Sequence, residues 1–218
     1  MFSVNEIFYS IEGEGIRAGY PCVFVRFNGC NLRCKYCDTG YAQKPEDSNM
    51  TLQEIVDQVK QYKCHRVTLT GGEPLLQSDI AKLVKALSDE GMEINIETNG
   101  SIPLESFDWC MCNVLFTMDY KTGASGESHN MYLPNLSYLS ASDVLKFVVG
   151  SKEDIQQAFY IVDQYLDRCN PPMIFLSPVF GSIEPKDIVE AIKQSGHTEC
   201  RVQLQLHKFI WPPEQRGV

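Results

Sequence analysis

Three cysteines, Cys30, Cys34 and Cys37, fall within eight residues of the stretch FNGCNLRCKYCDTG. Thiolates this close on one short loop suit metal chemistry, because soft sulfur selects zinc or iron–sulfur clusters. A structural zinc ion wants a fourth ligand nearby, commonly a His or a cysteine of a second pair. The other cysteines offer none at zinc-ribbon spacing: Cys64 stands beside His65 alone, and Cys110 and Cys112 form a lone CxC. Three thiolates on a [4Fe–4S] cluster instead leave one iron without a protein ligand. An open metal position is a place for chemistry.

Such a loop needs a rigid scaffold, and the pattern of apolar runs supplies one. Strands are expected at CVFVRF (22–27), RVTLT (66–70), EINIET (93–98), VLFTMD (114–119), DVLKFVVG (143–150), MIFLSPV (173–179) and RVQLQLH (201–207). Between them lie stretches with apolar residues at helical spacing. TLQEIVDQVKQY (51–62) is headed by Thr51 as N-cap, DIAKLVKALSDE (79–90) is closed by Gly91, and DIVEAIKQSG (187–196) by Gly196. EDIQQAFYIVDQYLDRC (153–169) is a further helix. No helix is expected between 98 and 114, and TGASGESHNMYLPN (122–135) reads as a functional loop. Strand–helix alternation predicts an α/β fold with a parallel sheet, open or rolled into a barrel. Ligands gather at the C-terminal ends of such strands. The polar, Gly-rich stretches NGCNLRC, GGEP, TNG and DYKTG each follow one.

The bulk composition sets limits on partners. The chain has 218 residues, 44% of them hydrophobic, enough for one substantial core, so residues 1–218 are expected to form a single domain. Its net charge of −9 would repel a duplex backbone, so no direct nucleic-acid partner is expected. The start MFSVNEIFYS has neither a basic nor an apolar leader region, and no run nears the roughly 18 apolar residues of a spanning helix. A cytoplasmic protein with no membrane partner is the expectation. Nine cysteines, an odd number, disfavour a complete disulfide framework. Those without a metal role default to buried thiols: Cys22, Cys64, Cys110, Cys112, Cys169 and Cys200.

The CxxxCxΦC spacing, with Tyr36 before the last cysteine, resembles the signature of radical S-adenosylmethionine (SAM) enzymes. GGEP at 71–74, after a strand, is similar to that superfamily's second motif. The resemblance implies that SAM chelates the open iron and that its cleavage yields a 5′-deoxyadenosyl radical, which takes hydrogen from substrate. Within the superfamily the chain resembles the 7-carboxy-7-deazaguanine synthase family. The matching stretches are FYSIEGEGIRAGYPCVFVRFNGC, YCDTG, VTLTGGEP and the tail LQLHKFIWPPEQRGV, which together reach both ends of the chain. That family contracts the ring of 6-carboxy-5,6,7,8-tetrahydropterin with loss of ammonia, a step toward queuosine. A reduced, partial (β/α) barrel of about six mainly parallel strands is implied. So are a Mg²⁺ ion, a flavodoxin or ferredoxin as electron donor, and a homodimer. A glycyl-radical activase and a zinc-stabilised binding module are the other readings.

The resemblance also assigns roles. Cys30, Cys34 and Cys37 would ligate the cluster and Thr39 the Mg²⁺, a hard ion that takes few protein ligands; an N-cap is the plainer role for Thr39. The loop Ile11-Glu12-Gly13-Glu14 would meet the pterin's N–H edge, or be an ordinary Gly turn. Arg26 would fork onto its carboxylate, a surface ion pair being the alternative. Thr70, His207 at the end of the last strand and the Val218 carboxylate complete the substrate set. For SAM the candidates are Tyr36, Gly72, Glu73, Glu97, Asn99, Asp119, Tyr120, Lys121 and Ser177. The chain departs from the family in three places. Glu12 stands where many relatives have Gln, Asp119-Tyr120 replaces Ser-Pro, and Ser177 replaces a frequent Gln.

Overall fold

The strands alternate between two chemistries with period two, and that alternation sets the architecture. On one face Val23, Val25, Val67, Leu69, Ile94, Ile96, Leu145, Phe147 and Val149 are fully buried. On the other stand Arg26, Thr70, Glu97, Thr117, Asp119 and Lys146. In the computed structural model, which describes residues 1–47, 49–107, 113–167, 169–212 and 215–218, these segments form an eight-stranded sheet in the order β1 to β8. Its strands are β1 (Val4–Ile11), β2 (Pro21–Phe27), β3 (Arg66–Gly71), β4 (Glu93–Thr98), β5 (Val114–Tyr120), β6 (Val144–Val149), β7 (Met173–Pro178) and β8 (Cys200–Val202). β2 to β8 run parallel, and β1 pairs antiparallel with β2. This is an α/β sheet of the partial-barrel type. It has eight strands where about six were expected.

The apolar face is covered by α1 (Leu52–Gln61), α2 (Ile80–Asp89), α4 (Lys152–Tyr165) and α5 (Pro185–Ser195). α1 begins in a capping box: the Thr51 side chain accepts from the Glu54 N–H at 3.2 Å, and Glu54 Oε2 accepts from the Thr51 N–H at 2.7 Å. Such a cap contributes about 1 kcal/mol. Gly91 and Gly196 follow α2 and α5 with φ of 76° and 79°, as helix-ending glycines should. Two single-turn helices, α3 (Asn135–Tyr138) and α6 (His207–Ile210), lie outside these layers. The loop expected at 122–135 contains two 3-10 turns, Gly123–Ser125 and Ser128–Asn130. No helix of the described residues is long and apolar enough to cross a membrane.

The last strand stops early. RVQLQLH was expected to be extended through His207, but β8 ends at Val202 and His207 opens α6. The Gln203 side chain binds the backbone of Gly15 in both directions, at 2.8 and 3.0 Å, and Gln205 Nε2 donates to Glu14 Oε2 at 3.2 Å. These contacts turn the chain back over the N-terminal loop.

Candidate active site

The polar face of the sheet and the loops at its C-terminal rim enclose a cavity of about 280 Å³. β2 feeds the cysteine loop into its wall. Gly29 turns the chain with φ of 92°, its N–H donates to Ala42 O at 2.9 Å, and the Cys30 N–H donates to Gln43 O at 3.0 Å. From the other side the Lys35 N–H donates to Ser125 O at 3.0 Å. Cys30, Cys34 and Cys37 all line the cavity as free thiols, the first two half-buried and the third exposed.

The donor set fits a [4Fe–4S] cluster. Three free thiols of one loop, all lining the cavity, are the ligand type that holds such a cluster. Burial pushes the Cys34 thiol up to about 11 and raises Cys30, so these sulfurs become thiolates when a metal displaces the protons. The Leu32 N–H and Asn99 Nδ2 already point at Cys30 Sγ, at 3.4 and 3.7 Å, as donors that orient and tune a thiolate ligand. A ligand on the cluster would find Tyr36, whose hydroxyl donates to Val148 O at 3.3 Å, together with Thr98, Asn99, Asp119 and Lys121. Asp119 Oδ1 is buried with no hydrogen-bond partner among the described residues, an acceptor suited to a ribose hydroxyl or an ammonium.

The GGEP turn packs against the cysteine loop. A Cβ on Gly72 would stand 2.1 Å from Gly29 O, so only glycine allows the two loops to touch. Gly72 faces the cavity, but the Glu73 side chain does not. It is fully buried, and accepts from the Leu75 N–H, the Thr98 hydroxyl and the Asn99 N–H at 3.1, 2.9 and 2.7 Å. Burial nevertheless raises its carboxyl to about 7, against those three bonds. Glu73 thus ties the third and fourth strand ends together.

Ile11, Glu12, Gly13, Glu14, Arg26, Thr70 and His207 line the same cavity as the cysteines. Glu12 is 1% exposed, and the Thr68 hydroxyl donates to its Oε1. Burial, with the nearby Glu97 carboxylate, raises Glu12 to about 7. Arg26 does make an ion pair, Nε to Glu6 Oε1 at 2.8 Å, but inside the wall, with its guanidinium 5.5 Å from the Phe8 ring centre. Burial lowers the His207 imidazole against the pull of Glu14 and Asp38. The tail returns to the same cavity through Gln215, Arg216, Gly217 and Val218, and Arg216 lies 3.7 Å from the Tyr41 ring centre.

Thr39 also lines the cavity, and its hydroxyl donates to Asp38 Oδ1 at 2.9 Å rather than capping the turn that follows. The recess opposes ionisation of Asp38, but Lys208 at 3.2 Å and the Thr39 hydroxyl hold its carboxyl at about 2.

Two SAM candidates besides Glu73 do not reach the cavity wall. Tyr120 points to the helix side, 5% exposed, its ring centre 5.5 Å from that of Phe147. Strand alternation demands this: Asp119 and Lys121 face the cavity, so Tyr120 faces away. Ser177 is fully buried and its hydroxyl donates to Glu14 Oε1 at 3.3 Å. Glu97, expected near a ribose, accepts from the Thr70 hydroxyl at 2.7 Å, close to Glu12 and Lys146. Sequence reasoning passed over Lys146, Tyr41, Gln205 and Arg216, which line the cavity together with Asp38 and Lys208. Lys146 carried a readable signal, a lone charge inside the apolar run VLKFVV. Of the other cysteines, Cys22, Cys64 and Cys200 are buried and Cys169 is exposed, while Cys110 and Cys112 lie outside the described residues.

Residues 24–109 match the Radical SAM superfamily, so fold and site together define a radical SAM enzyme. Over its whole length the chain is 43% identical to the 7-carboxy-7-deazaguanine synthase of Clostridium acetobutylicum, covering 99% of that protein. It is 39% identical to the 7-carboxy-7-deazaguanine synthase of Chlorobaculum tepidum, covering 99% of this chain and 97% of the relative. The chain belongs to the 7-carboxy-7-deazaguanine synthase family. Its fold is also that of the crystal structure of QueE from Escherichia coli, with a TM-score of 0.76 at 21% identity over 94% of this chain and 93% of that one.

Proposed function

We propose that this chain converts 6-carboxy-5,6,7,8-tetrahydropterin to 7-carboxy-7-deazaguanine by radical ring contraction with loss of ammonia. The observation that carries this reading is a single cavity lined both by Cys30, Cys34 and Cys37 and by the Glu12–Glu14 loop, Arg26 and His207. Held by the three thiolates, a [4Fe–4S] cluster with SAM on its open iron would supply a hydrogen-abstracting 5′-deoxyadenosyl radical.

The rest is the work of this chain's own side chains. Glu12 and Glu14 accept from the N–H edge of a flat, polar bicycle, and such directional bonds fix its orientation. Arg26 answers the substrate carboxylate, with Thr39 and Asp38 offering hard oxygens to a Mg²⁺ ion beside it. Glu12, neutral up to about pH 7, keeps a proton within the site. Departure of ammonia requires one. The tail ending at Val218 lines the cavity, and there it would help to exclude water. A flavodoxin or ferredoxin would donate the electron to a cytoplasmic homodimer.

The test is anaerobic turnover with reconstituted cluster, SAM, Mg²⁺, reductant and carboxytetrahydropterin. Stoichiometric 7-carboxy-7-deazaguanine is the expected product. Its absence from a protein with an intact cluster would overturn the reading.

A further inference from the structure

Lys146 is a buried cation in the lining of the cavity, between Glu14 and Asp119. Its neighbours on β6, Val144, Leu145, Phe147, Val148 and Val149, are all buried and apolar, and Lys146 itself is 7% exposed. Its ammonium lies 3.0 Å from Glu14 Oε2 and 3.4 Å from Asp119 Oδ2. Asp119 is its register partner on β5, whereas Glu14 reaches it from the loop beyond β1. A lysine is kept in such a place only if its charge is paired.

The two carboxylates depend on it unequally. Asp119 has a second cation, Lys121 Nζ, at 2.9 Å. The other described partners of Glu14 are neutral, the Ser177 hydroxyl at 3.3 Å and the Gln205 amide at 3.2 Å. Without Lys146, Glu14 would be a nearly buried carboxylate with only neutral hydrogen-bond partners and with the Glu97 carboxylate nearby, while Asp119 would keep an ion pair.

We propose that Lys146 is a positioning residue for the substrate side of the site. It fixes the Glu14 carboxylate, whose Oε2 accepts from Lys146 and Gln205 and whose Oε1 accepts from Ser177, so that the remaining lone pair of Oε1 points into the cavity, toward an N–H of the bound heterocycle. The proposal rests on the reading that the Glu12–Glu14 loop receives a pterin. A merely structural lysine would affect both ends of the cavity alike. A positioning lysine weakens pterin binding and spares SAM.

The experiment uses the cluster-loaded protein and two binding measurements. 6-Carboxypterin, a stable carboxylated pterin, is followed by its fluorescence, and SAM by equilibrium dialysis. Lys146→Met should weaken 6-carboxypterin about tenfold and SAM less than about twofold, at unchanged iron content. In a Glu14→Gln background, Lys146→Met should add less than about twofold, because the two act as one unit. Unchanged pterin affinity, equal weakening of both ligands, or full multiplication of the two losses overturns the proposal. If Lys146→Met alone does not take up the cluster, the double variant, which removes both charges, decides: pterin affinity equal to that of Glu14→Gln supports the proposal and a further fall refutes it. A wild-type protein that binds no 6-carboxypterin overturns the substrate reading, and this proposal with it. Normal wild-type binding with an unaltered Lys146→Met overturns the role of Lys146 alone.

Discussion

A Cβ added to Gly13 would stand 2.2 Å from Nδ1 of His207. The N-terminal loop and the start of α6 therefore touch backbone to ring, and the Leu206 N–H donates to Gly13 O at 3.0 Å beside the contact. Gly13 has no left-handed backbone, so the imidazole alone stands in the way of an alanine there. Gly13→Ala should push His207 out of place while leaving the cluster loop untouched. A displacement of about 1 Å in a reacting site costs roughly 10²-fold in rate, whereas overpacking costs about 1–3 kcal/mol in stability. The expected outcome is a loss of that size in kcat/KM at unchanged iron content. Near wild-type turnover would mean that His207 does not need this position.

Glu12 makes stability depend on pH. Its carboxyl is raised from 4.5 to about 7 by burial and by the Glu97 carboxylate. Between those values the folded chain keeps a proton that the unfolded chain has released. Stability therefore falls as pH rises through the window, and the full penalty, about 3 kcal/mol, is reached above it. Glu12→Gln keeps an acceptor for the Thr68 hydroxyl and has no proton to lose. It should be more stable than wild type above about pH 7, with the difference vanishing toward about pH 5. Urea unfolding at both pH values measures this, and a constant difference would assign the effect elsewhere.

Much of this site could be read from sequence because strands and turns announce themselves locally. β4 was bounded at Glu93–Thr98 by its apolar alternation, and GGEP and the cysteine loop follow the strands expected to precede them. What escaped depends on distant partners. β1 is an edge strand held by β2, and VNEIFYSI, though rich in β-branched and aromatic residues, lacks the period-two alternation that marks the other strands. QLQLH alternates like a strand, yet its glutamines bind the loop at Glu14 and Gly15, about 190 positions earlier in the chain, and no local propensity encodes that. Tyr120 lies one residue beyond the strand expected at 114–119; β5 runs through it, and period two then turns it to the face opposite Asp119.

Thr39 offers a sharper test of the Mg²⁺ reading than spacing alone could. Its hydroxyl is hydrogen-bonded to Asp38 and does not cap the next turn. Asp38 is held ionised by Lys208 at 3.2 Å. The pair would present one neutral and one anionic oxygen, suited to an ion that keeps most of its waters. Thr39→Ala should leave cluster content and SAM binding intact and raise the Mg²⁺ concentration needed for half-maximal turnover by roughly tenfold. Thr39→Ser should restore it. A Mg²⁺ titration that does not move in Thr39→Ala would leave the hydroxyl with Asp38 as its only partner.

Asp154 links a helix start to the cysteine loop without touching a thiol. It is 2% exposed at the head of α4, where Oδ2 accepts from the Gly150 and Ser151 N–H groups at 2.9 and 3.0 Å. Oδ1 accepts from the Ala124 N–H at 2.9 Å, and the next residue, Ser125, receives the Lys35 N–H between Cys34 and Tyr36. Asp154→Ala would leave three backbone donors without their acceptor, at a cost of about 2–4 kcal/mol and a fall in Tm of roughly 5–10 °C. The same change loosens the support under Lys35, so a chelator should strip iron from the variant several-fold faster than from wild type. A lower Tm with wild-type iron loss would show that the 122–126 turn does not brace the cysteines. Faster loss at temperatures well below the transition would show that it does, because global unfolding is then too rare to expose them.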